Sequence, residues 1–181
     1  KNIVLIDSNS KNVSLKRNIG IKYFFKKNKI KWISFLDSDC FIDINNYKKI
    51  KNHLTVNSNV DINLINLLSK NNKRIRKKIR NFKILNFLNL YKAGTPSIII
   101  KKESIKKLFD IRFGIGTPYY SAEDTKFLID NFSKNVKIIE YSHIFHPEEE
   151  INLNKISKYS FGQKILIKNL HFPHSLIFFI I

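Results

Sequence analysis

The chain has 181 residues, enough for one domain with a hydrophobic core, and its single cysteine, Cys40, excludes an internal disulfide. The net charge of +19 suits nucleic acid or an anionic membrane surface, but Lys, Asn and Ile are abundant throughout, which favours a general compositional bias. The run at 70–80 is denser in Lys and Arg and is a candidate contact for phosphates or lipid headgroups. The closing apolar run, Leu176 to Ile181, is far shorter than the roughly 20 residues of a membrane span.

The predicted elements alternate between strand and helix along the chain. Apolar runs predict strands at 2–6, 30–36, 96–101 and 136–141. Helical patterns cover 14–26, with Ser14 as the cap and Leu15 on one face together with Ile19 and Tyr23, then 44–70 in one or two helices, 102–109, 122–132 and 155–170. This alternation predicts an α/β domain with a mostly parallel sheet, spanning 1–170 and followed by an apolar segment at 171–181.

Two aspartates follow the apolar run WISFL. In an open α/β sheet, ligands bind outside the carboxyl ends of the strands, where Asp37 and Asp39 are expected. Residues i and i+2 of an extended segment project the same way, so the two carboxylates would repel unless a divalent cation joined them. The alternative is a polar strand exit in which Asp39 caps a turn and Cys40 only packs.

A second acidic pair opens a predicted helix in SAEDTKFL. Ser121 and Asp124 have the spacing of a capping box, which is a structural role. However, Glu123 and Asp124 also follow a glycine-bearing aromatic loop, where a carboxylate could act on a bound ligand. The chemistry alone leaves cap and catalyst equally open.

Two histidines lie in HIFHPEEE, at the end of the last predicted strand. Either His143 or His146 could be a metal ligand or a hydrogen-bonded core histidine. His146, which precedes Pro147 just after the strand, is the better candidate ligand.

These pieces together resemble the family 2 glycosyltransferases. VSLKRNIGIKYFFKKNKIKWISFLDSDC resembles the family's Arg-Asn-x-Gly helix, apolar strand and LDxD signature. LFDIRFGIGTPYYSAEDTKFLID and YSHIFHP resemble its later Phe-Asp, Gly-loop, ED-helix and His-Pro segments. The resemblance covers about residues 10 to 170 and implies the A-type glycosyltransferase fold, a Rossmann-like sheet flanked by helices.

The resemblance implies a role for each matched residue. Asp37 and Asp39 match the acids that hold Mn²⁺ or Mg²⁺ on the donor diphosphate, and His146 matches a residue that completes those contacts. Asp124 matches the general base of inverting members, with Glu123 as its neighbour. The donor-pocket helix motif is matched by Arg17 and Asn18, although Asn18 could instead tie the helix to a loop.

The implied activity is hexosyl transfer from a nucleotide-sugar donor to a glycan or lipid-linked acceptor, in surface polysaccharide synthesis. The expected location is the cytoplasm, at the inner face of the membrane with peripheral contact and without nucleic acid. The family's first two strands and base pocket are not recognisable here, and the sequence contains no Met. We therefore expect an N-terminally truncated piece, in which the absence of a base pocket could prevent activity. The alternatives are a nucleotidyltransferase with a Rossmann-like fold and a basic nucleic-acid-binding module.

Overall fold

The chain is described by a computed structural model. The described residues are 4–6, 8–69, 93–133, 135–147 and 153–170. The predicted basic contact at 70–80 and the apolar segment at 171–181 lie outside these residues.

Four helices and four strands account for the regular structure of the described residues. The helices are α1 (Val13–Phe25), α2 (Ile44–Val56), α3 (Glu123–Asp130) and α4 (Leu153–Lys168). The strands are β1 (Trp32–Ser34), β2 (Ile62–Leu68), β3 (Ile98–Lys101) and β4 (Val136–Phe145). Single 3₁₀ turns flank β3 at Thr95–Ser97 and Lys102–Ser104, so the short helix predicted over 102–109 shrinks to one turn.

The strands form one mixed sheet in the order β1-β3-β2-β4. β3 is antiparallel to both β1 and β2, whereas β2 and β4 are parallel, so three of the four strands run in the same direction. The predicted α/β class with a mostly parallel sheet is therefore confirmed, with β3 as the reversed strand.

Two predicted elements were wrong. The pattern over 44–70 was assigned to helix, yet Ile62–Leu68 is a central strand with both faces largely buried. The segment INLINLL has its apolar residues at 62, 64, 65, 67 and 68, and periodicity alone does not separate such a short pattern from a buried helix. Conversely, residues 4–6 of the predicted first strand belong to no strand, and Leu5 is 92% exposed. An apolar run becomes a strand only where a neighbour pairs with it, and the described sheet offers 4–6 no partner.

The described chain divides into two compact units. The first comprises Lys1–Lys29, Leu108–Phe127 and Ile151–Ile181, and the second comprises Ile30–Lys107 and Leu128–Glu150. The whole sheet belongs to the second unit. Its core is an aliphatic cluster on α2 and the strands, made of Ile50, Ile65, Leu67, Ile99, Ile139 and Ile144.

Within the first unit, α1 begins one residue earlier than predicted and buries a partly polar face. Asn12, not Ser14, caps the helix, because its side chain accepts a hydrogen bond from the Leu15 amide. The buried positions of α1 are Ser14, Asn18 and Ile21, whereas Leu15 is exposed. Ser14 is inside because its hydroxyl donates to the Phe113 carbonyl at 2.7 Å, which satisfies the buried group.

Candidate functional site

The segment after β1 folds into a tight turn. The backbone N–H of Cys40 donates to the carbonyl of Asp37 at 3.0 Å, and residues 38–39 form the turn. The extended conformation predicted for Asp37 and Asp39 was therefore wrong. In a turn of this kind the first and fourth residues come together, which brings Cys40 rather than Asp39 next to Asp37.

An isolated antiparallel β-bridge joins the residue after Cys40 to the end of β4. Phe41 and Phe145 exchange both backbone hydrogen bonds, at 3.0 and 2.9 Å, and their rings stack with centroids 4.6 Å apart. The next residue, His146, donates its backbone N–H to the Leu68 carbonyl at the end of β2. The ends of β2 and β4 therefore hold His146 beside the loop that follows β1.

Among the described residues, one group of side chains could hold a metal ion. It consists of Asp37, Cys40 and His146, whose ligand atoms all lie within 4.8 Å of one another. The structure thus brings together two of the three predicted metal ligands. Asp39 is exposed and lies outside the group, and His143 also lies outside it, with its ring 3.4 Å from the Asn46 amide nitrogen.

Cys40 was expected only to pack against its neighbours. It does pack against the aliphatic core, but it also belongs to the ligand group. Burial raises the pKa of its thiol to about 11, and the charges of Asp37 and Asp39 add to this effect. The signal that could have found it is the spacing Asp-x-x-Cys, which juxtaposes the two side chains once a turn replaces the strand.

The acidic pair at the start of α3 belongs to the first unit. Glu123 forms an ion pair with Arg17, with Nη1 and Oε1 3.2 Å apart and both side chains at most 15% exposed. Burial and the neighbouring Asp124 raise the pKa of Glu123, whereas Arg17 opposes that rise. Arg17 was predicted to lie beside the nucleotide-sugar donor. In the structure it pairs with Glu123, the residue next to the predicted general base.

Asp124 is 8% exposed and lies in the first turn of α3. Its Oδ1 accepts a hydrogen bond from the backbone N–H of Thr125 at 2.7 Å. Ser121, the expected cap, donates its N–H to the Tyr119 carbonyl and its hydroxyl to the Tyr159 carbonyl. Both the capping role and the catalytic role of Asp124 stay predictions.

The loop before α3 has an unusual backbone. Tyr120 and Ala122 adopt positive φ angles of 52° and 70°, which non-glycine residues rarely do. Such conformations concentrate at functional sites, because the surrounding structure must hold them in place. Tyr119 and Tyr120, the tyrosines of this loop, contact protein rings: Tyr119 packs on Phe113 at 4.9 Å, and Tyr120 meets Tyr159 edge-on at 6.0 Å.

Asn18 performs the tying role that was one of its two expected roles. Its amide donates to the Phe109 carbonyl and accepts from the Phe109 N–H, both at 2.8 Å. This pair of hydrogen bonds anchors α1 to the loop at 108–110 within the first unit. Contact with a donor stays a prediction for Asn18.

Among the comparisons with known proteins, the search of solved structures finds a similar fold. No protein-family model and no curated protein matches the sequence. The chain is similar to the crystal structure of S. aureus TarS residues 1–349, a glycosyltransferase, with a TM-score of 0.59 at 15% sequence identity. The match covers 94% of this chain and 50% of that chain, so this chain spans about half the length of its neighbour. The chain therefore has a glycosyltransferase-like α/β fold.

Proposed function

We propose that the chain carries the catalytic centre of a family 2 glycosyltransferase, which moves a hexose from a nucleotide-sugar donor to an acceptor hydroxyl. The observation that carries this proposal is the glycosyltransferase-like fold over 94% of the chain. The acceptor class that we propose is a glycan or lipid-linked saccharide of a surface polysaccharide.

The proposed reaction is a single displacement at the anomeric carbon, which inverts that carbon. Asp124 accepts the proton of the acceptor hydroxyl while the oxygen attacks the sugar. Its place in the first turn of α3 suits this role, because the helix N-terminus stabilises a carboxylate. The ion pair with Arg17 compensates the charge of Glu123, the second acid of the pair.

We propose that a divalent cation, Mn²⁺ or Mg²⁺, binds at Asp37 and His146, two of the three ligands that the resemblance implies. The donor chemistry of the described residues fits a cation, because an imidazole and a carboxylate converge at the strand ends. When bound, the cation would neutralise charge on the leaving diphosphate. Asp37 and His146 would hold the ion, whereas Asp39, the third implied ligand, lies outside the group.

A peripheral contact with the inner face of the cell membrane is the last part of the proposal. Phe24 and Phe25, at the end of α1, are 36% and 40% exposed. Exposed lysines surround them in the sequence, namely Lys22, Lys26, Lys27 and Lys29. Exposed aromatic rings beside lysines favour an anionic lipid surface. Among the described residues, no helix is long and apolar enough to cross a membrane.

Ligand-dependent thermal stabilisation tests this function. We expect a nucleoside diphosphate with Mn²⁺ or Mg²⁺ to raise the melting temperature, since a ligand at 100 times its Kd adds about 2.7 kcal/mol of stability. Asp37→Asn should lose the cation-dependent part, whereas Glu103→Gln, at an exposed acid, should keep it. If only nucleoside triphosphates stabilise the chain, a nucleotidyltransferase explains the fold better.

A further inference from the structure

We propose that Cys40 is a metal ligand and that, with Asp37 and His146, it forms a site for a zinc-class divalent cation. This inference deepens the metal site of the proposed function, on which it rests. It departs from the expected ligand set at one position, because Cys40 takes the place assigned to Asp39.

The fold, rather than chance proximity of mobile side chains, assembles the group. The Asp37–Cys40 hydrogen bond fixes the turn that carries two of the ligands. The paired backbones of Phe41 and Phe145 hold this turn beside the end of β4, next to His146. Zn²⁺ bonds of roughly 2.0–2.3 Å place the ligand atoms of one ion about 3–4 Å apart. The ligand atoms of the group lie within 4.8 Å of one another, so binding one ion would require them to move together by at most about 1–2 Å.

The hydrogen bonding of His146 suits metal ligation. Its Nδ1 lies 2.7 Å from the Pro147 carbonyl oxygen, which can only accept, so Nδ1 carries the proton. The lone pair of the neutral ring is then on Nε2. Histidines that bind metals commonly donate their other ring N–H to a carbonyl in this way, which fixes the ring and its tautomer.

The donor atoms determine which ion the group prefers. One sulfur, one nitrogen and one carboxylate oxygen suit Zn²⁺ and related ions, whereas Mg²⁺ requires oxygen ligands in octahedral geometry. Three protein ligands leave the fourth position of a tetrahedral zinc site open. An oxygen of a diphosphate has the chemistry to fill that position.

A titration with Co²⁺, which substitutes for zinc and reports on sulfur, tests the site in the full 181-residue chain. Cobalt bound to a thiolate absorbs in the near ultraviolet by charge transfer from sulfur. Because Cys40 is the only cysteine, a band of this kind identifies it directly. We expect a band that saturates at one ion per chain and that Zn²⁺ reverses at far lower concentration than Mg²⁺ does.

The variants separate Cys40 from Asp39. Cys40→Ser should abolish the band, and Asp37→Asn and His146→Ala should each weaken Co²⁺ binding at least about tenfold. Asp39→Asn should retain the band and the affinity. The double variant His171→Ala/His174→Ala removes the histidines of the C-terminal segment and should also retain the band. Melting curves without metal verify that each variant is folded.

Two outcomes overturn the inference. One is a wild-type chain without a charge-transfer band, and the other is a folded Cys40→Ser variant that binds Co²⁺ as tightly as wild type. Neither outcome bears on sugar transfer, because the titration contains no donor. Conversely, a chain that binds zinc through Cys40 but releases no nucleoside diphosphate from any nucleotide-sugar supports the site and contradicts the proposed function.

Discussion

Arg17 and Glu123 form a largely buried ion pair that joins α1 to the first residue of α3, with a nitrogen–oxygen distance of 3.2 Å. Neighbouring groups have opposing effects on the pKa of Glu123. Burial and Asp124 both favour a protonated Glu123, and Arg17 is the group that favours its ionised form. The stability of this region should therefore depend on both partners and on pH.

Arg17→Met should destabilise the chain, because it leaves a buried carboxylate without its partner. We expect a loss of about 2–4 kcal/mol at pH 8. Without Arg17 the folded-state pKa of Glu123 rises further above its unfolded value. The variant therefore keeps its stability at pH values below the unfolded-state pKa of Glu123. It loses stability as the pH rises towards the folded-state pKa of that residue. Urea unfolding at pH 5 and pH 8 should show the larger deficit at pH 8.

The matched control for that experiment is Arg112→Met. Arg112 pairs with Asp110 at 2.6 Å, but its side chain is 63% exposed, so the expected cost is below about 1 kcal/mol. Arg112 lowers the pKa of Asp110, and removing it returns that pKa towards the ordinary range of an aspartate, so the deficit should not change between pH 5 and 8. If Arg17→Met behaves like this control, the ion pair does not stabilise Glu123.

Two glycines in helices predict opposite effects of the same substitution. A Cβ at Gly162 in α4 would collide with the Tyr119 carbonyl and the Ser121 hydroxyl, whereas a Cβ at Gly20 in α1 meets no atom of the described residues within 4 Å. Gly162→Ala should cost about 1–3 kcal/mol, because a backbone carbonyl cannot rotate aside. Gly20→Ala should add about 0.5–1 kcal/mol from helix propensity. Denaturant midpoints that shift in the same direction for both variants would contradict the close approach of α4 to the loop that contains Tyr119 and Ser121.

Asn18→Ala should destabilise the first unit by about 2–4 kcal/mol. It removes the two hydrogen bonds that Asn18 makes to the buried backbone of Phe109. Asn45→Ala, at an exposed position of α2, should change stability by less than about 0.5 kcal/mol. Equal melting temperatures for the two variants would argue for Asn18 as a donor contact instead.

The sequence predicted the order of most elements because short runs rich in β-branched residues, such as the isoleucines at 98–100, favour strands. It missed β2, where the seven-residue pattern INLINLL is compatible with both helix and strand. In the candidate site, the resemblance implied that Asp37 and His146 share a metal ion, and the structure brings their side chains together. Cys40 was missed because the Asp-x-x-Cys spacing is informative only once the Asp37–Cys40 turn and the Phe41–Phe145 bridge are known.

The proposed membrane contact predicts binding to anionic vesicles. The full chain should sediment with vesicles of phosphatidylglycerol and phosphatidylcholine, and less with phosphatidylcholine alone, because the lysines at 22–29 require negative headgroups. The double variant Phe24→Ser/Phe25→Ser should reduce the bound fraction several-fold. Ile44→Ser, which replaces an apolar side chain that is 63% exposed on α2, should not. Equal sedimentation of both variants would exclude the end of α1 as the contact.

The most direct test of the proposed function is release of nucleoside diphosphate from a panel of nucleotide-sugars, with saccharide acceptors and Zn²⁺, Mn²⁺ or Mg²⁺. Sugar transfer predicts cation-dependent release from at least one donor. It also predicts that Asp124→Asn lowers the rate by about 10²-fold or more, while thermal stabilisation by the matching nucleoside diphosphate is unchanged. Release at the wild-type rate by Asp124→Asn, or release from no donor with any cation, would contradict it.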